Sequence, residues 1–71
     1  MRRKGIKMNN KLIGKIAYII NKQNEYYNEY GIITYYDGEC YHIALWCKDL
    51  KTAKEHSGII LYRNEFRIKK E

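Results

Sequence analysis

The chain has no proline, two cysteines, one tryptophan and one phenylalanine in 71 residues. Two cysteines are too few for a disulfide scaffold of the kind that staples small secreted domains. No apolar run approaches the ~20 residues that span a bilayer. The basic N-terminus is not followed by an apolar stretch ending in small residues, so it does not read as a signal peptide. A cytoplasmic protein is the expectation. No glycine-rich phosphate loop is present, and the acids Asp37, Glu39, Asp49, Glu55 and Glu65 are scattered rather than paired for acid–base work. Chains this short bury only about 60% of the surface they expose when unfolded, which leaves little room for a deep catalytic pocket. The sequence therefore points away from an enzyme.

What is present is tyrosine and positive charge. Eight tyrosines stand where other chains would use phenylalanine. A tyrosine ring buries well while its hydroxyl stays wet, which suits both the surface of a small sheet and a binding surface. Abundant Lys, Asn, Ile and Tyr also fit the codons of an AT-rich genome. The charge is uneven. Residues 1–22 carry Arg2, Arg3, Lys4, Lys7, Lys11, Lys15 and Lys22 and no acid, whereas the remainder is nearly balanced, so the formal excess of +6 sits in the first third. Such an arm can grip phosphate and release counterions, or can simply be a solvated tail. Met8 is an alternative start: Arg-Arg-Lys-Gly shortly before a Met is how a purine-rich ribosome-binding site translates in frame. Starting there removes Arg2, Arg3, Lys4 and Lys7 and lowers the formal charge from +6 to +2.

Residues 1–11 read as a flexible basic arm and 12–71 as a single domain. In LIGKIAYII (12–20), Ile16, Tyr18 and Ile20 alternate with Lys15, Ala17 and Ile19, the period of a strand. A helix is the rival, with Leu12, Ile16, Ile19, Gln23, Tyr26 and Tyr30 at three-to-four spacing. Gly14 and the β-branched residues favour the strand. NKQNEYYNE (21–29) is a polar loop. GIITYYDGECYHIAL (31–45) is a hairpin around Asp37-Gly38, a dipeptide that tolerates the positive φ of a tight turn. A two-residue turn there opposes Tyr36 with Glu39, Thr34 with Tyr41, Ile32 with Ile43 and Tyr30 with Leu45. This predicts a core of Tyr30, Ile32, Thr34, Tyr41, Ile43 and Leu45, and a second face of Ile33, Tyr35, Cys40, His42, Ala44 and Trp46. A helical turn is expected within 49–55, a strand over Ile59–Tyr62 opened by Gly58, a turn at Arg63–Glu65 and a last strand at Phe66–Ile68. Five short strands predict an all-β, highly curved antiparallel barrel.

IGKIAYII, GIITYYDGECYHIAL and ILYRNEFRI resemble the opening strand, central hairpin and closing strand, turn and last strand of SH3-like small β-barrels. These include KOW-type modules and small SH3-like proteins of phages of Gram-positive bacteria. The resemblance covers most of residues 13–68 and implies a five-stranded SH3-like barrel. The first loop lacks the regular glycines of KOW modules. One tryptophan and no proline depart from peptide-binding SH3 domains, which typically carry paired tryptophans and a proline beside the last turn.

Cys40, His42, Cys47 and His56 are the only soft metal ligands, and their spacing does not match the usual zinc knuckles. No metal and no cofactor are expected. A Cys–His nucleophile lacks an orienting third group. The stronger lead is aromatic: Tyr26, Tyr27, Tyr35 and Trp46 beside Lys15, Lys22 and the basic arm can stack bases while the cations hold the backbone. Tyr26 and Tyr27 are expected to be loop-exposed and Trp46 at a rim. The expectation is thus a small non-catalytic module of a phage or mobile element that binds nucleic acid or a nucleic-acid-handling complex. The alternative is a stoichiometric protein-binding inhibitor of a host factor such as a defence nuclease, anchored by the same aromatics. Neither a membrane nor a small-molecule substrate is implied. The chain is expected to be a monomer or a weak homodimer joined at edge strands, one of them blunted by Arg67 and Lys69.

Overall fold

The computed structural model describes residues 11–53 and 58–69. They form one antiparallel sheet of five strands, β1 (Ile16–Ile19), β2 (Tyr30–Tyr36), β3 (Tyr41–Leu45), β4 (Gly58–Leu61) and β5 (Phe66–Ile68). A single helical turn, α1 (Leu50–Ala53), precedes β4, and a 3-10 turn (Arg63–Glu65) precedes β5. The order across the sheet is β4-β3-β2-β1-β5, so β4 and β5 are its two edges. The first apolar segment is a strand, as its alternation predicts: Ala17 and Ile19 are buried while Ile16 and Tyr18 are half-buried on the other face.

The hairpin has a different register from the one its sequence suggests. The two central turn residues are Gly38 and Glu39, because Asp37 pairs back through its N–H to the Cys40 carbonyl at 3.1 Å. Within this turn only Gly38 has a positive φ, at 100°; it is the first central position, where hairpin turns of the II′ kind favour glycine. Asp37 does not need a positive φ; it holds the turn with its side chain, Oδ1 accepting from the Glu39 and Cys40 N–H groups at 2.9 and 2.8 Å. Tyr36 therefore faces Tyr41 and Tyr35 faces His42.

Thr34 is then an extra residue, a β-bulge between Ile33 and Tyr35. Its hydroxyl donates to the His42 carbonyl at 3.1 Å, occupying the stretch where the ladder is interrupted. Because side chains alternate along a strand, one inserted residue exchanges the faces beyond it. Ile33, not Ile32, opposes Ile43, and Ile32 opposes Ala44. The expected core is corrected accordingly. Tyr41, Ile43 and Leu45 are core as expected, joined by Ile33, while Thr34 and Tyr30 are only half-buried.

The sheet is covered on both faces. On one, Ala17, Ile19, Ile33, Tyr41, Ile43, Leu45, Leu61 and Phe66 make the main core. The Phe66 ring on β5 meets the Tyr41 ring on β3 edge-on, with centroids 5.3 Å apart. Two strands lie between β5 and β3 in the sheet, so this contact requires strong curling around the core. On the other face, Ile32, Ala44, Cys47 and Ala53 form a smaller cluster with Ile16. It lies under α1, whose first turn Asp49 caps by accepting from the Thr52 N–H at 2.9 Å. The helical turn expected within 49–55 thus exists over Leu50–Ala53, and residues 54–57 lie outside the described ones. Gly31 permits the close approach of β2 to β3: a Cβ there would stand 2.6 Å from the Ala44 carbonyl oxygen.

Candidate functional site

Cross-strand registration arranges the outer face, opposite the main core, in rows. Tyr18 on β1 stands between Arg67 on β5 and Tyr30 on β2. The Arg67 guanidinium lies 5.1 Å over the Tyr18 ring, and the Tyr18 and Tyr30 rings are 6.5 Å apart. Trp46 extends the row beyond the end of β3: its N–H donates to the Tyr30 carbonyl at 2.8 Å. The Trp46 ring packs edge-on against Tyr26 at 5.9 Å, and its indole N–H donates to Glu29 at 2.9 Å. Arg67, Tyr18 and Tyr30 thus form a row with a cation at one end across β5, β1 and β2, and the Trp46–Tyr26 pair stands beyond it past the end of β3.

A cleft of ≈ 540 Å³ opens beside this row, lined by Gly14, Lys15, Ile16, Lys48 and Lys69. Three separate segments bring the lysines there. Lys15 precedes β1 and its carbonyl accepts from Ile33; Lys69 follows β5 and its N–H donates to the Ile16 carbonyl at 2.8 Å. Lys48 follows β3 and places its ammonium 5.6 Å over the Tyr30 ring. Among the described residues the cleft has no acidic lining residue, and none of the three lysines makes an ion pair. Lys48 and Tyr30 thus join the cleft to the aromatic row.

Of the residues expected at a binding surface, Lys15, Tyr26 and Trp46 belong to this region. Arg2, Arg3, Lys4 and Lys7 lie outside the described residues. Lys11 and Lys22 are exposed but do not line the cleft. Tyr27 is exposed on its loop, as expected, whereas Tyr26 is half-buried and packs against the main core. Tyr35 is exposed but belongs to a different row, edge-on to His42 at 5.1 Å. The row Ile16–Ile32–Ala44, covered by α1, separates it from Trp46. Tyr18, Tyr30, Lys48, Arg67 and Lys69 complete the surface, and the sequence alone does not single them out as binding residues. The alternation of β1 already put Tyr18 opposite Ala17, but only the pairing of β1 with β5 brings Arg67 to it.

The soft metal ligands are dispersed. Among the described residues no three of His, Cys, Asp and Glu gather to hold an ion, and His56 is outside them. The Cys40 thiol is pushed above its usual range, first by burial and then by the nearby carboxylates of Asp37 and Glu39. This keeps it protonated, the opposite of an activated nucleophile. Asp37 is held below the usual carboxylate range by the two backbone N–H groups it accepts from and by His42, whose Nε2 lies 3.2 Å from Oδ2.

A second surface is apolar. A groove of ≈ 530 Å³ runs between α1 and β4, bounded by Leu50, Ala53 and Ile60. Ile60 is 58% exposed and Leu50 41%. No helix among the described residues is long and apolar enough to cross a membrane. Comparison with protein-family models, curated proteins and solved structures finds no match to this chain.

Proposed function

We propose that this protein is a small, non-catalytic SH3-like binding module of a phage or mobile element, and that it binds nucleic acid or a nucleic-acid-handling complex. The strand order, with β5 returned to β1 after a single 3-10 turn, supports the SH3-like reading. The observation that carries the function is the cleft of Lys15, Lys48 and Lys69 joined through Lys48 and Tyr30 to a row of aromatic rings. Cations that hold a phosphate backbone beside rings that take bases are the two requirements of such a surface. Function is argued from this surface and not from the fold, because small barrels host many activities.

The test is fluorescence anisotropy of the full chain with labelled random-sequence nucleic acid at low and moderate salt. Binding should weaken steeply as salt rises, because counterions released on phosphate contact must be recaptured. Binding that is absent, or indifferent to salt, overturns the proposal.

The apolar groove beside Leu50 and Ile60 favours a second reading, a stoichiometric inhibitor that occupies a surface of a host protein. Pulldowns run with and without nuclease treatment separate the two. A protein co-eluting in stoichiometric amount supports inhibition; nucleic acid alone, or nothing, counts against it.

A further inference from the structure

Trp46, just past the end of β3, is held in a costly backbone conformation. Its φ is +61°, a left-handed conformation that glycine or asparagine adopts readily and a bulky side chain does not. It is also 55% exposed, so little burial offsets the strain. Strain of this kind persists where the surroundings fix it, and it gathers at binding sites. Here the fixing groups are the Tyr30 carbonyl, the Glu29 carboxylate and the Tyr26 ring. They present a large, solvent-facing indole held against Tyr26 and Glu29, on a backbone paired with Tyr30, the residue whose ring lies under the Lys48 ammonium.

The lysine cleft adds a second, independent observation. Lys15, Lys48 and Lys69 line one cleft, with no carboxylate among its described lining residues. Like charges gathered on a folded surface repel one another, and a bound anion relieves that repulsion. Resting on the nucleic-acid reading above, we infer that the ligand is a single strand: a phosphate occupies the Lys15–Lys48–Lys69 cleft and an adjacent base stacks on Trp46. A duplex keeps its bases stacked on one another and has no free face for the indole. A single strand has one at every nucleotide, which makes such stacking tolerant of sequence.

The experiment uses the full chain, a labelled oligothymidylate of about 12 nucleotides and a mixed-sequence duplex of the same length. The single strand should bind more tightly than the duplex. Trp46→Asn, which suits the left-handed backbone, should keep or raise the melting temperature while weakening single-strand binding by about 5- to 150-fold. Trp46→Phe, which keeps a ring and loses the indole N–H, should recover most of that loss. A merely structural Trp46 predicts the reverse: a lower melting temperature for Trp46→Asn, with binding falling only as the fold does.

Lysine pairs test the cleft. Lys15→Ala with Lys69→Ala should reduce the slope of log affinity against log salt by about 0.7, the value for the one phosphate contact of a single strand that the cleft holds. Lys22→Ala with Lys51→Ala removes the same charge from outside the cleft and should leave the slope nearly unchanged. The basic arm is common to all these chains and drops out of the differences. Nucleic-acid binding that favours the duplex, ignores Trp46→Asn or responds equally to both lysine pairs overturns the single-strand inference and leaves the broader reading standing. No binding to either probe at any salt overturns both.

Discussion

Asp37 shows how one side chain can organise a turn and couple it to pH. Its carboxylate takes the N–H groups of Glu39 and Cys40 and meets the His42 ring, three partners that favour the charged form. The folded-state value is therefore lower than the ordinary 3.8. A carboxylate depressed by folding stabilises the fold at pH above its unfolded value and loses that contribution as pH falls through its folded one. Asp37→Ala should lower the melting temperature at neutral pH, and the gap from the parent chain should narrow once pH drops below the ordinary carboxylate range. A gap that stays constant into acid would mean that Asp37 serves only as a neutral acceptor. Glu65 plays a comparable joining role: it accepts from the Tyr62 N–H and from the Asn21 amide, both at 2.8 Å, tying the 3-10 turn to the loop after β1.

At the scale of elements, the bulge at Thr34 decides which face of β2 is which. Ile33 is fully buried, and Thr34 is half-buried with its hydroxyl on the His42 carbonyl. Ile33→Ala should cost about 2–5 kcal/mol, the range for truncating a buried Ile. Thr34→Ala should cost about 1 kcal/mol for one hydrogen bond. Urea unfolding of the two variants measures the difference; equal costs, or a larger one at Thr34, would restore the unbulged register. This is also where legibility in the sequence ends. The strands were readable from their alternation and their β-branched residues, and the last turn and strand from Arg63–Glu65 and Phe66–Ile68. The bulge was not, because Ile32-Ile33 offers two equally apolar candidates for one core position and nothing local chooses between them. The turn was misplaced by one residue for a related reason: Asp37-Gly38 is a strong hairpin signal, but here Asp37 acts through its carboxylate, leaving Gly38 and Glu39 at the tip. The candidate site suffered most from missing partnerships. Lys48 and Lys69 are unremarkable in a chain with 14 basic residues, and only the edge pairing of β5 with β1 brings Lys69 and Arg67 to the outer face.

On the scale of the whole molecule, the curled sheet separates what folds the chain from what gives it charge. Both core clusters and the apolar residues packed on them are drawn from residues 12–68. Four of the six units of formal excess charge belong to Arg2, Arg3, Lys4 and Lys7, outside the described residues. Folding and the electrostatic part of binding should therefore respond separately to the choice between Met1 and Met8. A chain beginning at Met8 should unfold at the same urea midpoint as the full chain, since it keeps every residue of the two described core clusters. It should still bind, because the lysine cleft and the aromatic row are retained. Its dependence on salt should be shallower, by at most about 2.8 in the slope of log affinity for a single strand if all four lost bases had each met a phosphate. Anisotropy titrations of both chains across a salt series, beside their urea curves, check the two halves of this expectation together. An earlier urea midpoint for the shorter chain would show that residues 1–7 stabilise the folded unit. An unchanged salt slope would show that the four bases do not touch the ligand, and would leave the cleft of Lys15, Lys48 and Lys69 as the principal phosphate grip.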